Sequence, residues 1–511
     1  MIVTLEDLIW LDRCPRRLWL DRHAGGAPRA EPTRDARARS EANRVHIERL
    51  VATSGAAAVP DGPWEERLAA TAALVRAGAP LIAWAALEAT AGELTLRAVA
   101  HLLRRTRDPA APGGWAYCPI DIRLHGEPTR WDRTRIDALR WLAGAALGYP
   151  RPPDGELWLG ADGAGPARVL HRRGDAAAVG QALAGRYDAL LAGPAPPIWF
   201  DSNHCTFCPW HDACDRAALA ELDLATLPGL RRTHVRALRA RRITSVPQLA
   251  RLRQGALADI PDSDEATERR LRANAEALVS GRAVRRGELA DGVWPAVPPE
   301  ERGQVLFLDV ETDPLTREPW AVGWMDAGGA VGMAIVAPVA RPKRVALEAV
   351  RVTLVRTAAQ AWRAAAEVAG AAPAVVHWGD AESLLLARTA GREARAALGP
   401  RLRDLHAALT ETVALPIPRL STQRSAGLKP VAGWLGYRWP NGADHWGDGW
   451  EAYLAWRRTW RARQRGAPPP ALARLGPAVA YLRSDLEALA AVWRWYVELV
   501  SGGGAAAGRD P

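Results

Sequence analysis

Lysine is almost missing from this chain: of 67 basic residues only Lys343 and Lys429 are Lys, and the rest are Arg. With the excess of Ala, Gly, Pro and Trp, this points to strong GC bias in the coding sequence. An Arg where chemistry favours Lys therefore carries little meaning, and each surviving Lys carries more. Cysteine is scarce too, at five in 511 residues, which excludes a disulfide-stapled secreted scaffold. No apolar run approaches the ~20 residues needed to span a bilayer, and residues 1–10 lack the basic start and apolar segment of a secretory signal. A cytoplasmic protein is expected. An acidic surplus is also lacking, since the formal net charge is +10. That balance suits a polyanion such as nucleic acid, with a generally basic protein as the alternative. At 511 residues the chain is too long for one core, and roughly 150 residues per domain suggests about three.

What the sequence does contain begins with V-L-F-L-D-V-E-T at 305–312. Side chains at i and i+2 share a face of a strand, so Asp309 and Glu311 are expected side by side at a strand end. Two acids held that close repel unless a cation lies between them; the alternative is a pair of solvated acids. Strands are expected at A-V-G-W-M and A-V-G-M-A-I-V, joined by a turn at Gly328 and Gly329, and a helix over about 343–368. P-A-V-V-H-W-G-D-A-E-S-L-L-L then predicts a buried strand running into a helix, with Asp380 and Glu382 at the turn. On the last long helix Tyr481 and Asp485 are i and i+4 and share one face.

The cysteines are Cys14, Cys118 and a tight group, Cys205, Cys208 and Cys214, spaced C-x2-C-x5-C. Thiols so spaced in a Cys-poor chain favour a metal. A compact three-Cys loop with one remote thiol fits a 4Fe-4S cluster, and tetrahedral zinc is the competing assignment. The early C-P-R-R-L-W-L, the V-H-I-E-R-L around His46 and the late three-Cys group together resemble the iron-sulfur RecB-like (AddB-type) nuclease domain, over residues 1–220. The resemblance implies that Cys14, Cys205, Cys208 and Cys214 are the cluster ligands and leaves Cys118 as a core residue. It also implies a nuclease centre with a His on a helix, an Asp ending one strand, acid-x-Lys on the next and Gln-x3-Tyr on the following helix. His46 supplies the first. His101 stands where the Asp is expected, Asp121-Ile-Arg123 where acid-x-Lys is expected, and Asp137 and Trp141 where Gln and Tyr are expected. Arg cannot take a proton as Lys can. GC bias excuses an Arg for Lys but not the lost Asp, so this centre is expected to be degenerate, keeping its fold and cluster.

Residues 221–285 resemble a helix-hairpin-helix module: an apolar helix, the turn L-P-G-L at 227–230, then a basic helix. A turn at Gly229 presents backbone N–H groups where a phosphate is favoured, and Arg231, Arg232, Arg236, Arg239, Arg241 and Arg242 supply sequence-independent charge. A helical spacer with a solvated Arg face is the alternative. Residues 286–302, polar and Pro-bearing, mark a linker.

Residues 303–500 resemble the RNase H-like exonuclease fold of the DnaQ type, in its Tyr-containing DEDD branch. The motifs are Asp309-x-Glu311, residues 377–382, and Tyr481-x3-Asp485. Glu382 departs from the usual Asp of the second motif, with Asp380 as the backup. The resemblance implies two Mg²⁺ or Mn²⁺ ions held by Asp309, Glu311, Glu382 and Asp485, with Tyr481 orienting or helping to deprotonate the attacking water. Asp404 is either a supporting acid or a plain helix acid, and Lys429 is either placed to hold a phosphate or an ordinary surface Lys. The whole order resembles bacterial RecB-like nucleases fused to a DEDD-type exonuclease domain. It implies an α/β multidomain, metal-dependent nuclease, a 3′–5′ exonuclease acting on DNA in preference to RNA. The alternatives are a non-catalytic nucleic-acid-binding scaffold, or cleavage by the first domain. The low-complexity tail at 501–511 is expected to be disordered.

Overall fold

The computed structural model describes residues 2–160, 167–171, 185–286, 304–314, 316–337, 343–347, 350–370, 372–423, 426–439, 447–464 and 472–500. The tail at 501–511, and the linker at 286–302 apart from residue 286, lie outside the described residues. The chain is a mixed α/β protein that divides into two compact units, Met1–Trp199 with Phe207–Trp210, and Phe200–Thr206 with His211–Pro511. Among the described residues no helix is long and apolar enough to cross a membrane.

The first unit opens with β1 (Ile2–Thr4), α1 (Leu5–Arg13) and α2 (Pro15–His23). Thr4 starts α1 through a capping box, its hydroxyl accepting from the Asp7 N–H at 3.3 Å while the Asp7 carboxylate accepts from the Thr4 N–H at 2.9 Å. The apolar pattern over residues 5–20 reads as one helix, but Pro15 has no N–H to continue the ladder, and it starts a second helix instead. Cys14 sits at that joint. Next come α3 (Arg34–Thr53), β2 (Ala57–Ala58), α4 (Trp64–Arg76), β3 (Leu81–Ala91), β4 (Leu94–Arg107), β5 (Trp115–Arg123), α5 (Arg130–Leu147), β6 (Gly155–Leu159) and β7 (Ala167–His171). They form a sheet ordered β2-β3-β4-β5-β6-β7, with β1 on β4. Ile136, Leu139 and Leu142 of α5 pack one core, whereas Ile47 and Val51 of α3 join Leu102, Ile120 and Ile122 in another.

The second unit begins with a helical segment: α6 (Ser202–Cys205), α7 (His211–Ala220), α8 (Arg232–Ala240), α9 (Val246–Ala250), α10 (Glu265–Ser280) and the short β8 (Val284–Arg285). Here the expected apolar helix before L-P-G-L is only one 3-10 turn, Leu224–Thr226. Asp223 caps it, and Pro228 and Gly229, with Gly229 at φ +79°, end it before a second turn forms.

The sheet of this unit comprises β9 (Leu306–Thr312), β10 (Pro319–Asp326), β11 (Val331–Val336), β12 (Lys343–Leu347) and β13 (Val350–Val355), then α11 (Ala358–Ala369), β14 (Val375–His377), α12 (Ala381–Thr389), α13 (Arg392–Leu398) and β15 (Leu402–Asp404). Its order is β12-β13-β11-β10-β9-β14-β15. The helix expected over 343–368 is a correction: most of its first half is the antiparallel pair β12 and β13. Val350, Val352 and Leu354 are buried and Arg351 is exposed, a period of two that helix-favouring Arg, Ala and Leu masked. The strands on either side of Gly328 and Gly329 form as expected.

Strand β9 lies centrally, antiparallel to β10 and parallel to β14, which is parallel to β15. Val305 and Phe307 face one core, and Leu306 and Leu308 the other. Both faces are covered, which is why residues 305–308 are continuously apolar. The chain closes with α14 (Leu405–Thr412), β16 (Val413–Ala414), α15 (Leu428–Trp434), α16 (Gly447–Gln464) and α17 (Gly476–Val500). Helix α17 packs on the backbone of β10: a Cβ at Gly323 would meet Leu482 Cδ2 at 2.8 Å. That close approach brings the polar face of α17 to the acids of β9.

Candidate metal centre

The parallel strands β9, β14 and β15 end on the same side of the sheet, where open α/β sheets build their sites. Asp309 and Glu311 come from β9, His377 from β14 and Asp404 from β15. Asp309 and Glu311 follow Val305 and Phe307 in the period-two alternation, so they project toward the face covered by α17. From α17, Asp485 meets them. Ligand atoms of Asp309, Glu311 and Asp485 all lie within 4.8 Å of one another, and this trio is the one group of its kind among the described residues. Asp309 and Glu311 are half-buried and Asp485 is 7% exposed.

The electrostatics are those of uncompensated like charges. Burial pushes Asp309 well above the usual carboxylate range, and Glu311, Asp485 and Glu382 push it further. Glu311 is pushed up to about 8 by burial and Asp485, with Lys429 pulling only partly against them. The buried Oδ2 of Asp309 finds no hydrogen-bond partner among the described residues. Asp485 Oδ1 accepts from the Trp439 indole N–H at 2.8 Å.

Tyr481 lies one turn before Asp485 on the same helix, within reach of its charge. Burial and the charges of Asp485, Glu311 and Asp309 raise the phenol well above its ordinary value, so it keeps its proton. A Cβ at Gly449 of α16 would stand 3.1 Å from that hydroxyl, so Gly leaves the Tyr481 oxygen approachable. Lys429 Nζ lies 4.6 Å from the centre of the Tyr481 ring and 5.8 Å from that of Trp439.

Glu382 stands near the trio but outside it. It is 4% exposed on α12, and its Oε2 lies 3.4 Å from Nδ1 of His377, which is 1% exposed. That separation suits an ion pair, but the geometry does not make a hydrogen bond, and among the described residues neither atom has one. Burial raises the Glu382 carboxyl, His377 opposes the shift, and Asp404 adds to it. Asp380 is an exposed helix-start residue that makes no side-chain cap. Asp404 caps α14, accepting from the Ala407 N–H at 3.1 Å, and holds the Gly379 N–H at 2.9 Å. Asp313, just after β9, is held by Arg457 at 3.0 Å and by the Tyr453 hydroxyl at 3.3 Å.

Trp439 and His377 are the residues that sequence reasoning missed. Trp439 follows a loop with no periodic signal, and His377 stood in the second motif without a role.

No family model matches the chain. Nothing among the curated proteins matches it. A solved structure titled "Crystal structure of SSO0001" is 16% identical; the match covers 41% of this chain and 83% of that one, at a TM-score of 0.21. A score that low carries no conclusion about fold or function.

In the first unit the structure brings Asp121, His101 and Arg123 together and adds Arg135 and Glu6. Asp121 is 1% exposed. Its Oδ1 lies 3.2 Å from His101 Nδ1 and 3.1 Å from Arg135 Nε, and its Oδ2 lies 2.9 Å from Arg123 Nε. Arg135 also binds Glu6. Burial alone would raise the Asp121 carboxyl, but Arg123, Arg135 and His101 hold it well below its usual range. His46, on α3, lies 3.4 Å from Arg49 at its Nδ1. Asp137 pairs with Arg140 at 2.9 Å, and Trp141 packs against the core. Both oxygens of Asp121 are taken by cations of the chain, so these residues do not fit a divalent ion.

Cys14 and Cys208 belong to the first unit, and Cys205 and Cys214 to the second. Cys208 is buried and the other three are half-buried. The Asp201 N–H donates to Cys205 Sγ at 3.4 Å. Burial pushes the Cys118 thiol up to about 12, the behaviour of an inert core residue. Arg231, Arg232 and Arg236 are exposed at the start of α8, with Arg231 3.9 Å from Asp262. Arg239 is tied to Asp223 at 2.6 Å, and Arg241 lies 3.8 Å from Asp259.

Proposed function

We propose that this chain is a metal-dependent nuclease that hydrolyses phosphodiester bonds through Asp309, Glu311 and Asp485, as a 3′–5′ exonuclease on DNA. The observation that carries this reading is the trio itself: three carboxylates within 4.8 Å of one another, one buried oxygen without a partner, and carboxyls pushed toward neutrality. An all-oxygen donor set suits hard Mg²⁺ or Mn²⁺. Such ions, when bound, supply Lewis-acid activation of water and charge neutralisation at the phosphate. Tyr481 then orients the attacking water with a hydroxyl that keeps its proton, and Lys429 holds a phosphate oxygen of the substrate. Glu382, paired with His377, stands in reserve to complete the site.

The resemblance to the DEDD branch supplies the exonucleolytic polarity and the preference for DNA. A separate resemblance, carried by C-P-R-R-L-W-L, V-H-I-E-R-L and the three-Cys group, is the ground for assigning residues 1–220 to a RecB-like domain whose own centre is a buried charge cluster. Cys14, Cys205, Cys208 and Cys214 are proposed as ligands of a structural 4Fe-4S cluster, a soft donor set with a backbone N–H on one sulfur. Gly229, Arg231, Arg232 and Arg236 are proposed to contact the nucleic-acid backbone.

The test uses labelled single- and double-stranded substrates with Mg²⁺ or Mn²⁺. Wild type is expected to cleave, the Asp309→Ala, Asp485→Ala double variant to be inert, and Asp121→Asn to remain active. Intact binding without cleavage by wild type under every condition would instead identify a binding scaffold. For the cysteines, absorbance near ~400 nm with iron in the purified protein is expected, and stoichiometric zinc without iron refutes the cluster.

A further inference from the structure

The nuclease reading accounts for the acids but not for an aromatic side chain on the same side of the sheet. We propose that Trp378 is a stacking platform for the terminal nucleobase of a nucleic-acid chain whose phosphate lies at Asp309, Glu311 and Asp485. This rests on the nuclease reading of that centre and adds a substrate-positioning subsite to it.

Three observations place the indole. Strands β9 and β14 pair Val375 with Leu306 and Val376 with Phe307. Strand β14 ends at His377, so Trp378 is the first residue of the turn that leaves the strand paired with β9. Trp378 also shares its face: Val376 belongs to the core of Val305 and Phe307, and Trp378 packs against that same core, so both alternations lead to the side of the sheet that carries the trio. Finally, the turn that bears Trp378 is fixed. Gly379 follows at φ +88°, and its N–H is held by the Asp404 carboxylate at 2.9 Å.

The ring itself is half-buried. His406 meets it at 5.6 Å with a tilt of 58°, which props the indole without stacking over it. A braced, partly exposed indole at the edge of an acidic centre matches what single-stranded nucleic acid needs from a protein. Every base has a π-face, so stacking holds an end without reading its sequence. In a metal centre of high negative charge, such a contact also gives an apolar hold on the substrate that does not depend on phosphate.

The experiment measures binding, not turnover. Full-length protein in EDTA is titrated into a single-stranded oligonucleotide with 2-aminopurine at its 3′ end, following fluorescence and anisotropy. Trp378→Leu is expected to weaken binding about 5- to 100-fold and to lose the fluorescence change, while Trp378→Phe stays within about threefold of wild type. An oligonucleotide with an abasic 3′ end is expected to bind wild type and Trp378→Leu alike. Equal binding of the intact end by wild type and Trp378→Leu overturns the proposal. So does equal binding of intact and abasic ends by wild type, a comparison that needs no variant and holds even if Trp378→Leu fails to fold. Failure of the nuclease reading would show separately, as absence of Asp309-dependent cleavage in Mg²⁺.

Discussion

Two carboxylate clusters, one in each unit, differ in the sign of what surrounds them. Asp121 has two guanidiniums and an imidazole within 3.2 Å and is held strongly ionised. Asp309 and Glu311 face further acids and are pushed toward the neutral form. The first cluster has its counter-charge built in. The second lacks enough of it, since Lys429 only partly offsets the repulsion at Glu311. Residue type alone does not distinguish a structural acid from a ligand; the neighbours do.

The comparison breaks most visibly in turnover. Asp309→Ala with Asp485→Ala is expected to lower Mg²⁺-dependent cleavage by at least about a thousandfold, the equivalent of losing several kcal/mol of charge stabilisation. Cleavage that survives this change but disappears in Asp121→Asn would reverse the roles of the two clusters.

A stability measurement probes the other side. Arg135→Leu leaves Asp121 and Glu6 short of a cation, so a loss of about 3–5 kcal/mol is expected in urea unfolding followed by circular dichroism. A change below about 1 kcal/mol would mean that the network is not held as tightly as its geometry implies.

The two clusters should also respond oppositely to pH. In metal-free protein Glu311 titrates near 8 instead of 4.5. Between those values the folded state holds a proton that the unfolded state has lost, so stability falls as pH rises through this window. Adding Mn²⁺ should restore the melting temperature most at the upper end, because the metal needs the ionised carboxylates. Asp121, depressed below 3.8, contributes stability that is lost only as pH falls below that value. A metal-free melting temperature that rises from pH 5 to 8 would contradict the raised carboxyls.

The smallest effect is expected at Trp439. Trp439→Phe removes one hydrogen bond to Asp485, costing about 0.5–1.5 kcal/mol of stability. Manganese affinity, read by electron paramagnetic resonance, should change by no more than about tenfold. A complete loss of binding would make Trp439 more important than a single positioning contact.

Much of the acidic centre was legible along the chain because periodicity survives folding. Asp309 and Glu311 share a strand face at period two, and Tyr481 and Asp485 share a helix face at i and i+4. Asp404 was legible only as an acid near a helix start; it caps α14, and it also holds the Gly379 N–H and adds to the shift at Glu382. The strands at 343–347 and 350–355 were misread because Arg, Ala and Leu favour helices on their own, while burial of Val350, Val352 and Leu354 in the sheet overrides that preference.

By itself, the sequence determined which residues share a local face, that a turn falls at Gly229, and that basic charge dominates. Only the tertiary structure decided that Arg135 neutralises Asp121, that Trp439 reaches Asp485, and that Glu382 turns to His377 instead of joining the trio. Those pairings join residues on separate elements. Local spacing fixes direction within an element, whereas electrostatics and hydrogen bonding depend on distance across the fold.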